Sequence, residues 1–295
     1  MKWFKSKGQI DFVGKKSIAL SISALMILLS FAVFFFKGIK YGIDFAGGTL
    51  IEVKFDKTVP LDKVREALEE GGMSDAILQP FGEQNEILIK TKATPEAIEA
   101  IKTTVRESLT QKVSSEFEIR RVELVGPKVG KDLRSKGIKA LIFCIIGILL
   151  YITWRFEFRF ALGAVIALIH DVLISLGIYT LAGKEVNLPT VAALLTILGY
   201  SLNDTIVVYD RIRENMKKMS TALEVIINRS INEVMKRSVL TSFTTIIPMI
   251  VIWSLGLGIL KDFSFIIIFG IIVGTYSSIY IASPVVLFFE KKAKR

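Results

Sequence analysis

Six long apolar runs set the terms for this chain: residues 17–36, 137–154, 160–181, 188–209, 238–255 and 264–289. A bilayer core about 30 Å thick takes about 20 helical residues, and each run is close to that length. A helix satisfies its own backbone where no water is available, so the runs predict a six-helix membrane bundle. The first run ends in Phe34-Phe35-Phe36-Lys37 with no small-residue cleavage site behind it. It reads as a retained anchor, not a signal peptide. Charged residues still make up 22% of the 295, too many for a chain wholly in lipid, so a water-facing domain is expected beside the bundle. This balance excludes a disordered chain, a collagen and a small disulfide scaffold. The single cysteine, Cys144, permits no internal disulfide. The single histidine, His170, argues against a His-based metal site. Neither metal nor organic cofactor is expected.

The formal net charge is +10, but the basic residues bunch beside apolar runs and form no continuous stripe. That is a membrane-topology pattern and speaks against nucleic acid. Lys2, Lys5, Lys7, Lys15 and Lys16 precede the first run; Arg155 and Arg159 lie between runs two and three. Arg211, Arg213, Lys217, Lys218, Arg229, Lys236 and Arg237 lie between runs four and five, and Lys291, Lys292, Lys294 and Arg295 follow the last. The short loops of the other side hold only Lys184 and Lys261. The excess places the N-terminal segment 1–16, the C-terminal segment 290–295 and loop 210–237 in the cytoplasm. Segment 37–136 then lies outside.

That segment reads as a compact domain. Leu50 to Phe55 alternates like a strand, and Pro60 to Glu70 reads as a helix closed by Gly71-Gly72. Ala76 to Phe81 and Glu86 to Lys90 form a hairpin turned at Gly82-Glu83-Gln84-Asn85. Thr94-Pro95 opens a second helix through about Leu109, and Glu116 to Leu124 alternates again. The order βαββαβ predicts a ferredoxin-like α+β domain. It carries no catalytic cluster, so the chain is not expected to be an enzyme.

Ionisable groups inside an apolar run are costly and point to function unless a span end explains them. Asp204 lies within Gly199-Tyr200-Ser201-Leu202-Asn203-Asp204-Thr205, and helical spacing puts Thr196, Tyr200, Asn203 and Asp204 on one face. This stripe is expected to face the bundle interior. Asp204 precedes the interfacial Asp210-Arg211 pair by about 9 Å of helical rise. Arg237, Thr241, Thr244, Thr245 and Pro248 share a second face, although Arg237 can equally be a snorkelling flank. His170-Asp171 sits in mid-run three with Ala167 and Ser175 on the same stripe; the pair suits a proton relay or an internal lock. Gly270, Gly274, Ser278 and Ala282 form a small-residue ridge for helix packing. A carboxyl such as Asp204, alternately dry and wet or near and far from Arg237, can take a proton on one side and release it on the other. Each charge crossing the field yields about 2.3 kcal/mol per 100 mV.

Four segments together resemble one family. Tyr41-Gly42-Ile43-Asp44-Phe45-Ala46-Gly47-Gly48-Thr49, Val125 to Gly130, Leu168-Ile169-His170-Asp171-Val172 and Gly199 to Asn215 are similar to motifs of SecF, the accessory membrane subunit of the bacterial Sec protein translocase. The resemblance covers nearly the whole chain in order. It implies a half-bundle of the resistance-nodulation-division type in the bacterial plasma membrane. It also implies SecD as partner, contact with the SecYEG channel and YajC, and an exported unfolded polypeptide as client. It implies use of the proton motive force, or of sodium in some lineages, to assist late protein export. By position, Asp204 resembles the membrane aspartate of the ion path, Arg237 the arginine associated with it, and Asn203 the site where the SecD half has its own aspartate. Gly47-Gly48 and Gly126-Pro127 are then candidate hinges. Two other readings stand beside this one: a small-molecule or lipid exporter of the same superfamily, and a scaffold that transports nothing.

Overall fold

The apolar runs become helices that continue beyond the lipid-length stretches, because backbone hydrogen bonding does not stop where hydropathy does. A computed structural model describes residues 10–74, 76–81, 85–91, 98–113, 116–256 and 258–293. It contains α1 (Lys16–Phe36), α2 (Ile43–Ala46), β1 (Gly48–Phe55), α3 (Leu61–Glu70), β2 (Ile77–Pro80), β3 (Glu86–Thr91), α4 (Ile98–Lys112) and β4 (Phe117–Val125). There follow α5 (Pro127–Arg155), α6 (Phe158–Leu181), α7 (Leu188–Lys218), α8 (Leu223–Leu255), α9 (Ile259–Ser277), a π-helical turn (Ser278–Ala282) and α10 (Ser283–Ala293). The expected turn at 82–84, the helix opening at Thr94-Pro95 and the terminal stretches 1–9 and 294–295 lie outside the described residues.

Six helical stretches are long and apolar enough to cross a membrane. Where α5, α7 and α8 overrun their apolar runs, pairs one turn apart line the extensions: Asp132–Lys136 (2.8 Å), Glu214–Lys218 (2.5 Å) and Arg229–Glu233 (2.9 Å). α7 begins with a capping box, in which the Asn187 side chain accepts from the Thr190 amide and the Thr190 hydroxyl accepts from the Asn187 amide. α6, α7 and α9 form the buried centre of the bundle, while α1, α5 and α8 leave broad faces open. Small residues set the close contacts. A Cβ on Gly177 would lie 2.2 Å from Ser30 Oγ of α1, and one on Gly270 would lie 2.3 Å from Ile197 Cδ1 of α7. The small-residue ridge does not run on as one α-helix. The π turn interrupts it at Ser278, and there the Tyr209 hydroxyl donates to the Ala282 carbonyl at 3.2 Å.

The domain between α1 and α5 is an antiparallel sheet in the order β2-β3-β1-β4. Ile51 pairs with Ile89 on one side and Val122 on the other, and a bulge falls between Glu52 and Val53. One sheet face packs Ile51, Val53, Phe55, Ile87 and Ile89 against Val64, Leu68, Val105 and Leu109 of α3 and α4. The sheet is tied to the bundle at the loop between α6 and α7. The Gly42 amide donates to the Val186 carbonyl (2.9 Å) and the Val186 amide to the Lys40 carbonyl (2.8 Å). The Leu188 amide donates to Asp44 Oδ2 (2.9 Å), and Lys90 pairs with Glu185 (2.6 Å).

Candidate functional site

Two buried carboxylates stand at the crossing of α6, α7, α8 and α9, and their surroundings differ. Asp171, wholly buried on α6, is saturated. Its Oδ2 accepts from Ser201 Oγ on α7 at 2.5 Å and from Ser277 Oγ on α9 at 2.7 Å; its Oδ1 lies 2.9 Å from His170 Nδ1. The His170 ring stacks on Tyr276, and its Nε2 has no hydrogen-bond partner among the described residues. Ala167 and Ser175 are buried on the same stripe.

Asp204 lies three residues after Ser201 on α7 and is 2% exposed. Thr275 of α9 and Ser238 of α8 stand beside its carboxyl, and the charge of Arg237 acts on it. Yet Asp204 Oδ2 and Ser238 Oγ are both buried without a hydrogen bond among the described residues. Of the two neighbouring hydroxyls, that of Thr275 is engaged elsewhere. Thr275 Oγ1 donates to the Ile271 carbonyl and lies 2.6 Å from Ser242 Oγ, which the Tyr200 hydroxyl also reaches at 3.1 Å. A buried carboxylate oxygen left open in this way is chemically fit to take up and release a small cation or proton.

The polar stripe expected on α7 splits. Asp204 faces inward, but Thr196 and Asn203 are exposed, because adjacent helical positions differ by about 100° and a four-residue stripe that wide straddles two faces. With Ala192 and Gly199 they form an open, small and polar face. The second stripe splits in the same sense. Thr241 and Thr245 are half-buried, whereas Arg237, Thr244 and Pro248 are exposed. Arg237 has no ion-pair partner among the described residues and stands at the open side of α8. Ser201, Ser277, Ser238 and Thr275 were not singled out from the sequence. Hydroxyls are common in membrane helices and carry no signal until a carboxylate is seen against them.

The second half of the Gly199–Asn215 motif has its own role. Arg213 donates to the Arg155 carbonyl at the end of α5 (3.3 Å), and Asn215 bonds Ser230 Oγ (3.0 Å) and Glu233 (2.9 Å) on α8. Arg211 pairs with Glu214 and Glu233. This stretch ties the ends of α5 and α8 to α7.

Residues 105–292 match the family model for the C-terminal part of the protein export membrane proteins SecD and SecF, and residues 32–59 match the SecD/SecF GG motif. The chain belongs to the SecD/SecF protein-export family. Within this family it is similar to the protein translocase subunit SecF of Magnetococcus marinus, 44% identical over all of this chain and 96% of that one. It is likewise similar to SecF of Calditerrivibrio nitroreducens, 42% identical over all of this chain and 99% of that one. The crystal structure of SecDF from Thermus thermophilus, a translocon-associated membrane protein, superposes with a TM-score of 0.85 at 36% identity. This chain covers 40% of that longer one, with 99% of its own residues matched. A structure of SecDF in a super-membrane-facing form matches with a TM-score of 0.74 at 37% identity. Its relatives are subunits of a transport machine, and this SecD/SecF member is a multi-pass transport component, not an enzyme.

The SecD/SecF GG motif lies at the junction of sheet and bundle. Gly47 and Gly48 adopt φ of +78° and +141°. A Cβ on Gly47 would come 2.9 Å from Pro127 Cα at the start of α5. Gly126 has an ordinary φ of −64° and serves as the N-cap of α5 ahead of Pro127.

Proposed function

We propose that this chain is a SecF-type translocase subunit that pairs with a SecD half and uses the proton motive force, or a sodium gradient, to assist late stages of protein export through the SecYEG channel. The observation that carries this reading is the carboxyl of Asp204, 2% exposed inside the bundle, with Oδ2 lacking a partner among the described residues and the hydroxyls of Ser238 and Thr275 beside it. Leaving a buried carboxylate oxygen without a hydrogen bond costs stability, and proton uptake relieves the cost. Asp204 is the carrier in this mechanism. Arg237 holds its positive charge throughout and tunes the carboxylate. Asn203, on the open face with Ala192, Thr196 and Gly199, is directed toward the SecD half; a face this polar is a poor match for acyl chains. Asp171, saturated by three donors, acts as the lock that fixes α6 against α7 and α9 and not as a relay.

The excess of basic residues in the loops away from the sheet supports cytoplasmic termini and an extracytoplasmic domain. The order β2-β3-β1-β4, with both helices on one face, supports a ferredoxin-like domain type. Exported polypeptide is the client, and the plasma membrane of a bacterium the location.

Asp204→Asn, expressed in place of the native chain and checked for amount and for co-purification with the SecD half, tests the proposal. Gradient-stimulated export is expected to fall at least ~10-fold with assembly intact. Export that stays normal and gradient-dependent in this variant would favour a scaffold and overturn the mechanism.

A further inference from the structure

Helix α8 is gripped at one end and lightly held at the other. At the end away from the sheet, Asn228 and Asn232 clasp the main chain of the segment before α1. Asn228 Oδ1 accepts from the Phe12 and Val13 amides (2.7 and 3.2 Å), and Asn232 Oδ1 accepts from the Ile10 amide (2.9 Å). Both side-chain amides donate to the Ile10 carbonyl (3.1 and 2.8 Å). Phe12 is buried in the cluster that holds Ile227, Ile231 and Ile279. Asn215 adds its two bonds to Ser230 and Glu233. Toward the sheet, α8 exposes Phe243, Ile247, Ile250, Val251 and Leu255, and Pro248 interrupts its hydrogen-bond ladder.

The turn that follows the light end meets the outer domain at the N-cap of α9. Gly258, in the turn from α8 to α9, has φ +51°, and a Cβ there would lie 2.9 Å from Phe81 Cδ2. The ring of Phe81, at the end of β2, therefore rests on bare backbone, and both the dihedral and the space call for glycine. Phe81 is itself fixed by the hydrogen bond that its backbone amide donates to the Glu86 carbonyl (2.9 Å). Beside it the sheet and the bundle border a cleft of about 350 Å³ that includes Lys90, Lys184, Glu185, Gly258 and Asp262. Lys90 pairs with Glu185, and the adjacent Lys184 pairs with Asp262 in the first turn of α9 (2.6 Å each).

We infer that Phe81, seated on Gly258, is a positioning residue: through it the outer domain sets the tilt of α8 and so the placement of Ser238 and Arg237 against Asp204. The lever has a fixed end at Asn228 and Asn232, a driven end at Gly258, and the ion-site groups between. Ser242, one turn beyond Ser238, is the sliding contact, since its hydroxyl meets both Tyr200 and Thr275. A shift of α8 exchanges these hydroxyl contacts without breaking the bundle. Coupling runs both ways: a change of charge at Asp204 moves the turn on which the outer domain rests. This inference deepens the ion-coupled reading of Asp204 and rests on it.

The test uses membrane vesicles carrying the chain with its SecD partner. A reporter cysteine replaces Thr245, half-buried on α8, in a Cys144→Ser background. Its maleimide labelling rate is read with and without an imposed proton gradient, and export is read in parallel. With Phe81 in place, the gradient is expected to change the labelling rate severalfold. Phe81→Ala and Gly258→Ala, attacking the contact from its two sides, are expected to abolish that change and cut gradient stimulation of export at least ~5-fold. Phe81→Leu is expected to keep most of both. If Phe81→Ala and Gly258→Ala leave both readouts responsive while Asp204→Asn silences them, the lever is wrong and the ion site stands. If Asp204→Asn itself stays responsive, the ion reading fails and the lever with it.

Discussion

Asp171 and Asp204 are two buried carboxylates joined through one turn of α7, and only the first is fully hydrogen-bonded. Ser201 donates to Asp171 at 2.5 Å, while Asp204, three residues further along, keeps an oxygen without a partner among the described residues. In the proposed mechanism the bonded carboxylate serves the architecture and the other carries the ion.

This contrast separates two substitutions. Asp171→Ala removes the acceptor of Ser201, Ser277 and His170 Nδ1 at once, leaving Ser277 only the Gly274 carbonyl, and a loss of about 3 kcal/mol is expected, seen as poor accumulation and a lowered midpoint in detergent thermal unfolding. Asp204→Asn is expected to change that midpoint little. Equal midpoints for the two variants would mean that the saturation of Asp171 carries no structural weight.

Gly163 leaves room for the hydroxyl of Tyr209. A Cβ there would lie 2.4 Å from that oxygen and 2.8 Å from the Ala282 carbonyl it bonds. Tyr209→Phe is expected to cost about 1 kcal/mol. Gly163→Ala is expected to cost more alone than in the Tyr209→Phe background, because the tighter of its two clashes, with the hydroxyl, has then been removed. Strict additivity in the double-mutant cycle would place the two residues out of contact.

The clasp of Asn228 and Asn232 on Ile10 to Val13 is expected to protect that segment. Replacing both asparagines with alanine removes the five hydrogen bonds to this segment and should make residues 10–15 markedly more sensitive to limited proteolysis. Protection unchanged from the parent would show that Phe12 alone holds the segment.

Lys90 and Glu185 join sheet and bundle as a half-buried pair. Lys90→Glu is expected to raise hydrogen exchange in residues 40–44 and 184–187, and the second change Glu185→Lys to restore part of the protection, with a coupling of about 1 kcal/mol. No recovery in the swapped pair would assign the tie to the backbone bonds at Gly42 and Val186.

Much of this protein was legible in its residues because the bilayer imposes a simple rule. Apolar length reports spans, and alternation marked β1 and β4 before any pairing was seen. The motif segments pointed to the family, and Asp204 stood out because a carboxylate amid Leu and Ile has no inexpensive explanation. What the residues could not supply were partners distant in sequence. Which of two buried aspartates is satisfied depends on hydroxyls brought in from α8 and α9, and a serine 106 positions from Asp171 leaves no local trace. The division of the α7 stripe between an inner and an open face was likewise settled by packing, since helical periodicity fixes angles between side chains but not the direction in which the helix is turned. The seat of Phe81 on Gly258 is of the same kind: each residue reads as an ordinary turn position by itself, and only the fold of the sheet over the bundle makes them one contact.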